Sequence, residues 1–373
     1  MKNKGFYIPN LNGLRFIAAF AVILGHNEIT KEQFDLTSLL ISDIGFFNHG
    51  GGHLGVILFF VLSGFLITLL LLMEKSKFQN INYKKFIMRR ALRIWPVYFL
   101  FVSIVIFAVH GIDSILEDKP NGELLIGMYY LILPNLAMSG FGSIMHIPHL
   151  WSIGVEEQFY LIWPLIIKFF KRKAIIVIML LIVLLIPLIP HGADFLAVRI
   201  PSMKGFFKVL RLFFQYFLIN SMAIGGLLAF VYYKYEEVLK SKLTVGISSL
   251  IVIICLIPWI LGMHFYVLND VVYPLIFGLL ILVVSVSKPL LLLENRIFSY
   301  LGKISYGIYV YHWIVIYYVT SFLVKNFGEV NYFISLTIIT ILTVVLAAIS
   351  YELMEKRILK FKSKFALIKS GKV

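Results

Sequence analysis

Cysteine is nearly absent: 373 residues hold one, Cys255, inside an apolar run. A lone cysteine excludes a disulfide framework and a thiolate metal site. It reads as a small hydrophobe facing lipid or a neighbouring helix. Charge is scarce as well. Asp, Glu, Lys and Arg make up 14% of the chain, against 60% hydrophobic residues. That leaves too little polar surface to coat a water-soluble domain. Acidic residues are the scarcer sign, 19 against 34 basic ones, for a formal net charge of +15. Such an excess suits lysines gathered at membrane boundaries better than a nucleic-acid surface. There is no internal repeat, and no linker long enough to separate two soluble domains. No cleavable signal is expected, because Met1–Pro9 is short and polar and Arg15 interrupts any apolar leader.

What is present is a series of long apolar runs. Crossing a hydrocarbon core takes around 20 helical residues. The expected fold is an all-α, polytopic transmembrane helical bundle of about ten spans. Candidates are 11–26, 55–73, 94–109, 156–170, 174–189, 213–233, 243–261, 271–286, 304–324 and 332–353. Residues 123–139 are a further candidate. Ten spans with a cytoplasmic N-terminus place 26 Lys and Arg inside and seven outside, with Arg15 the remaining one of the 34. Counting 123–139 as a span would invert everything downstream and put 171–173, "KRK", outside. That segment is therefore read as re-entrant or as lying on the outer surface, consistent with Pro134 within it. Residues 1–358 form one membrane-embedded unit, and 359–373 a short basic cytoplasmic tail at the lipid surface.

Polar residues inside such a bundle point to function. The stretch "LRFIAAFAVILGH" sets Arg15 and His26 eleven residues apart. On a helix they share one stripe, about 16 Å apart along the axis. Snorkelling of Arg15 and capping by His26 is the simpler reading of either residue alone. "RRALRIWPVY" puts Arg90 and Arg93 on one helical face at the cytoplasmic side. They serve either as topogenic charges or, with Arg15, as a basic mouth for a phosphorylated ligand. "HLWSIGVEEQFYLIWP" carries Trp151 and the adjacent Glu156 and Glu157. At least one of these carboxylates should face a wet cavity. "ISYGIYVYHW" places Ser305, Tyr309 and His312 along one stripe, with Tyr306 beside it. In "GGHLGVILFFVLSGFLI", Gly55, Ser63 and Gly64 suit close packing or passage of a ligand. His49 and His53 have metal-ligand spacing, but Gly50, Gly51 and Gly52 argue against a helix there, and no metal is expected.

In this order, the stretches "NGLRFIAAFAVILGH", "GVILFFVLSGFLI", "RRALRIWPVY", "WSIGVEEQFY" and "GKISYGIYVYH" resemble the acyltransferase-3 family of integral membrane O-acyltransferases. "SYELMEK" at 350–356 resembles the family's last helix, so the likeness runs from Leu11 to Lys356. Asn12 and Ile57 stand where the family usually or often has an acidic residue. Lys356 and Arg357 follow a glutamate that the family commonly follows with proline.

The resemblance implies transfer of an acyl group, acetyl in most members, from cytoplasmic acyl-CoA to a hydroxyl of an extracytoplasmic or lipid-linked glycan. Acyl-CoA is then a co-substrate, and no bound cofactor is expected. Arg15, Arg90 and Arg93 would hold the CoA phosphates. His26 would act as base, and Glu156 would orient it or bind the acceptor. Ser63, Trp151, Glu157, Ser305, Tyr306, Tyr309 and His312 would line the pathway. The implied location is the cytoplasmic membrane, multi-pass, with both termini inside. The alternative is a transporter or flippase for a sugar-lipid, whose path also needs intramembrane Arg, Glu and His.

Overall fold

The computed structural model describes residues 7–39, 45–48, 50–119, 121–288, 290–328 and 331–367. Among them the chain is helical, with no strand. The long helices are α1 (Leu11–Glu32), α2 (Gly51–Phe78), α3 (Tyr83–Ser103), α4 (Trp151–Phe169), α5 (Arg172–Leu185), α6 (Ile219–Lys242), α7 (Val245–Ile260), α8 (Asn269–Val286), α9 (Ser305–Phe327) and α10 (Tyr332–Ser350). Seven of the helical segments are long and apolar enough to cross a membrane. This is a polytopic membrane protein. Helices α1 and α4 are long enough but fall outside the seven. Arg15, His26, Asn27 and Glu28 dilute the first, and Glu156, Glu157 and Gln158 the second. These polar positions build the site.

Helix α2 is the hub. It is apolar on all sides, and it is the most buried of the seven. It packs on α1, α4, α6 and α8. Lipid offers no hydrophobic drive between helices, so close backbone approach matters. Glycine permits it here. A Cβ on Gly25 of α1 would sit 2.7 Å from the Gly52 Cα of α2. A Cβ on Gly64 of α2 would sit 2.0 Å from the Met222 carbonyl oxygen of α6. Gly64 and Gly55 are therefore packing residues, whereas Ser63 between them faces a cleft. Cys255 is buried against the bundle.

Several boundaries differ from expectation. Helix α1 continues six residues beyond His26, to Glu32. Its polar end is stabilised rather than solvated: buried Glu28 accepts from the Leu39 N–H at 2.7 Å and pairs with Lys31 at 3.1 Å. His26 is thus inside the helix, not its cap. Helix α2 begins at Gly51 despite the glycine run, which places His53 on a helix. His49 lies outside the described residues. Expected span 213–233 is broken near Phe217. Helix Lys204–Tyr216 ends there and α6 begins at Ile219.

The segment 123–139 forms two short helices, Gly122–Tyr130 of nine residues and Pro134–Gly140 of seven. At 1.5 Å per residue each spans no more than about 14 Å, well short of a bilayer core of about 30 Å. The end of α3 and the approach to α4 also meet on one side, through His146 Nδ1 and His110 Nε2 at 3.0 Å. At the opposite end, Lys75 near the end of α2 donates to the Ile167 carbonyl of α4 at 2.6 Å. Residues 359–365, expected as a tail, continue helix Lys356–Lys362 and the turn Ser363–Phe365, which dock on α3.

Candidate active site

Helices α1, α2, α3, α4 and α9 border a cleft with about 800 Å³ of empty space, part of it open to solvent. Arg15, Arg90 and Arg93 line one end. Ser63, Glu156, Tyr160, Ser152, Ser305, Tyr306 and Tyr309 also line it. Helical spacing explains each contribution. Residues three or four apart share a face, so Arg90 and Arg93 arrive together from α3, and Glu156 and Tyr160 from α4.

The arginine end is short of negative charge. The Arg15 guanidinium donates to neutral Asn12 Oδ1 at 3.2 Å. Arg90 stacks over the rings of Phe86 and Tyr160 at 5.5 Å each, and its buried Nε has no partner among the described residues. None of these three arginines forms an ion pair there within 4 Å, whereas Arg89 pairs with Glu74 at 3.1 Å. A cation–π contact steadies Arg90 but leaves its charge uncompensated. The donors remain available to an anion.

In the cleft, Glu156 Oε1 accepts from Ser63 Oγ at 2.6 Å and from the Tyr160 hydroxyl. These bonds satisfy a carboxylate removed from bulk water. Glu156 does not orient His26; its partners come from α2 and its own helix. One residue on, and about 100° around the helix, Glu157 points out of the cleft. Its Oε2 accepts from Trp95 Nε1 at 2.9 Å, and its Oε1 is buried without a partner among the described residues. Trp151 also lies off the cleft, packed against His53, Phe60 and Tyr216.

Beyond Tyr309 lies a cluster of imidazoles. His26 Nδ1 and His312 Nε2 are 2.6 Å apart. His312 Nδ1 lies 2.5 Å from the Tyr309 carbonyl oxygen. A carbonyl only accepts, so His312 carries its proton on Nδ1 and presents a lone pair at Nε2. His26 must then donate from Nδ1, which leaves its Nε2 with a free lone pair. That is the state a general base requires. Trp313 packs on the His26 ring with centroids 4.4 Å apart. The cleft reaches Tyr309, and His26 stands behind it.

His149 joins this cluster unforeseen. Its ring centroid is 4.7 Å from that of His312, and its Nε2 donates to the Val310 carbonyl at 3.0 Å. Its backbone carbonyl accepts from the Tyr309 hydroxyl at 2.8 Å, and that hydroxyl also meets Ser152 Oγ at 2.6 Å. Tyr160 and Glu355 were missed too. Glu355 is buried near Arg93 and accepts from Ser350 Oγ at 3.3 Å. A histidine just before a helix start, or a glutamate at the end of the last long helix, carries no local mark of its partners.

The family model for the acyltransferase-3 domain, described as an acyltransferase domain, matches residues 8–352. The chain belongs to this family. All five helices of the cleft lie within the matched region. Curated relatives include an O-acetyltransferase, OatA, of Staphylococcus aureus. It is 29% identical over 378 residues, covering 95% of this chain and 57% of that protein. A peptidoglycan O-acetyltransferase, OatA, of Listeria monocytogenes is 29% identical over 334 residues, covering 83% of this chain and 49% of that protein. The chain therefore spans about half the length of these relatives. No solved structure matches this family member.

Proposed function

We propose that this membrane protein is an acyl-CoA-dependent O-acyltransferase, carrying an acetyl group to a hydroxyl of an extracytoplasmic or lipid-linked glycan. One observation carries the reading. A single cleft joins an uncompensated arginine cluster to the residues around a histidine held as a base. Peptidoglycan, named for the Listeria relative, is the acceptor favoured by similarity.

Arg15, Arg90 and Arg93 bind the phosphates of CoA at the cytoplasmic end. The narrow pantetheine arm lies along the cleft past Ser63 and Glu156, with its thioester near Tyr309. The acceptor hydroxyl enters from the outer side and hydrogen-bonds His26 Nε2. As its oxygen attacks the thioester carbonyl, Nε2 takes the hydroxyl proton. Charge on the His26 ring is shared through Nδ1–H to His312, itself held by the Tyr309 carbonyl. The tetrahedral adduct collapses, the C–S bond breaks, and the thiolate takes the proton and leaves as CoA. Glycan O-acetyl ester and free CoA are the products.

On this reading both termini are cytoplasmic and the enzyme sits in the cytoplasmic membrane, which the 26-to-7 partition of Lys and Arg supports. Purified protein in nanodiscs, given radiolabelled acetyl-CoA and a peptidoglycan fragment, should yield labelled glycan. Glycan transport without turnover of acetyl-CoA would instead support the transporter reading.

A further inference from the structure

The C-terminal segment does more than follow the last long helix. Helix Lys356–Lys362 packs along α3, and the turn Ser363–Phe365 is fastened to the same helix. Arg89 is the fastener. Its Nη1 donates to the Phe365 carbonyl at 2.7 Å, while Nη2 pairs with Glu74 at 3.1 Å. Both charge and hydrogen-bonding capacity of Arg89 are thus spent on holding this segment.

What the fastener delivers is Lys362. Lys362 lies three residues before Phe365 on the docked segment, and Arg93 lies four residues after Arg89 on α3, so the two share the docked side, and the lysine is within electrostatic reach of Arg93, Arg90 and Arg15. Lys362 forms no ion pair among the described residues, nor do Arg15, Arg90 or Arg93. Two carboxylates act on this group. Glu156 is engaged by Ser63 and Tyr160, and Glu355 by Ser350. Four cations then converge with little to neutralise them. Like charges gathered at low dielectric repel strongly. The arrangement becomes favourable once several negative charges sit between the cations.

Resting on the donor reading above, we infer that Lys362 is a fourth cation of the CoA phosphate site, placed there by the docked C-terminal segment. CoA carries a diphosphate and a separate 3′-phosphate, more negative groups than three arginines span. Lysine suits the role as a mobile point charge, while the arginines supply bidentate geometry. Arg89 acts as a positioning residue, since it holds the segment and not the phosphate.

CoA binding to the full chain in nanodiscs tests this. Lys362→Gln should weaken CoA about 10-fold, as loss of one charge-assisted contact does, and should flatten the salt dependence of binding. Lys362→Arg should bind near the wild-type level, and Lys364→Gln, an exposed charge two residues away, should change nothing. In the unmutated protein, CoA should slow amine-reactive labelling of Lys362 several-fold and leave Lys364 untouched. This arm needs no variant to fold. Wild-type affinity in Lys362→Gln with weakened Arg93→Ala would overturn the role of Lys362 and leave the donor site standing. Unchanged affinity in both would overturn both. Lack of protection of Lys362 by CoA would also overturn it.

Discussion

His26 Nδ1 and His312 Nε2 lie 2.6 Å apart, joining helices α1 and α9 across 286 residues of sequence. With the Tyr309 carbonyl behind it, His312 would, on the proposed mechanism, play the part that a carboxylate plays in a catalytic triad. It sets the tautomer and leaves His26 Nε2 free. A neutral carbonyl supplies hydrogen bonding without adding a second buried charge.

His26→Ala should reduce acyl transfer by roughly 10²-fold or more. His26→Gln should do the same, since an amide cannot carry the proton at neutral pH. CoA binding should survive both changes, because the arginines lie about 16 Å along the helix. Labelled-acetate transfer and CoA affinity, measured on one preparation, check the pair. Full transfer by His26→Gln would reduce His26 to a structural hydrogen bond.

His312→Ala should lower turnover less than His26→Ala, leaving CoA affinity unchanged. It removes the group that selects the His26 tautomer, so a larger share of His26 rings will carry the proton on Nε2. The expected signature is a fall in kcat with an altered pH–rate profile, not a rise in the KM for acyl-CoA. His312→Gln can still accept from His26 Nδ1 through its amide oxygen, and should recover part of the rate. Identical losses in the Ala and Gln variants would argue against a positioning role.

Arg90→Ala and Arg93→Ala should each weaken CoA binding by about 1.5–3 kcal/mol, roughly 10- to 150-fold. Arg90→Lys should recover only part, because an ammonium cannot form the bidentate fork. Affinity measured by calorimetry in nanodiscs reads this directly. Wild-type affinity in both alanine variants would make these arginines topogenic charges alone.

Gly64→Val should disrupt the α2–α6 contact. Even a Cβ there would lie 2.0 Å from the Met222 carbonyl oxygen, which belongs to backbone and cannot swing aside. Overpacking of this kind costs about 1–3 kcal/mol, or more when backbone must move. The thermal half-life of the detergent-solubilised protein should shorten, while Gly127→Ala, with open space at its Cβ, should be tolerated. Equal half-lives would show that the two helices can separate freely.

With Cys255→Ala as background, Ser143→Cys should react with an impermeant thiol reagent from outside the cell, and Lys364→Cys only after permeabilisation. Ser143 lies between the short helix Pro134–Gly140 and α4, and Lys364 in the segment docked on α3. Labelling of Ser143→Cys from the cytoplasmic side alone would reverse the orientation.

Much of the fold was legible from residue order because membrane helices answer to local rules. About 20 apolar residues make a span, and Lys and Arg choose its direction. The same local geometry put Arg15 and His26 on one stripe and paired Arg90 with Arg93. It set Glu156 and Glu157 apart, one in the cleft and one bonded to Trp95. Boundaries were less legible where polar residues lengthen a helix. Asn27 and Glu28 would end an isolated membrane span, yet here they are buried and α1 runs on.

Helical periodicity thus determined, from sequence alone, which residues share a face. Which faces meet was decided by tertiary packing. His26 finds His312 rather than Glu156 because α9 docks beside α1, while Ser63 of α2 and Tyr160 take up the carboxylate. Lys362 reads in the sequence as one more charge of a basic tail. Its segment reaches the helix of Arg90 and Arg93 because a guanidinium, Arg89, ties the Phe365 carbonyl to α3. Periodicity is a property of neighbours along the chain. Partners across the bundle depend on shape and close approach between helices, which glycines such as Gly52 and Gly64 allow and no local pattern encodes.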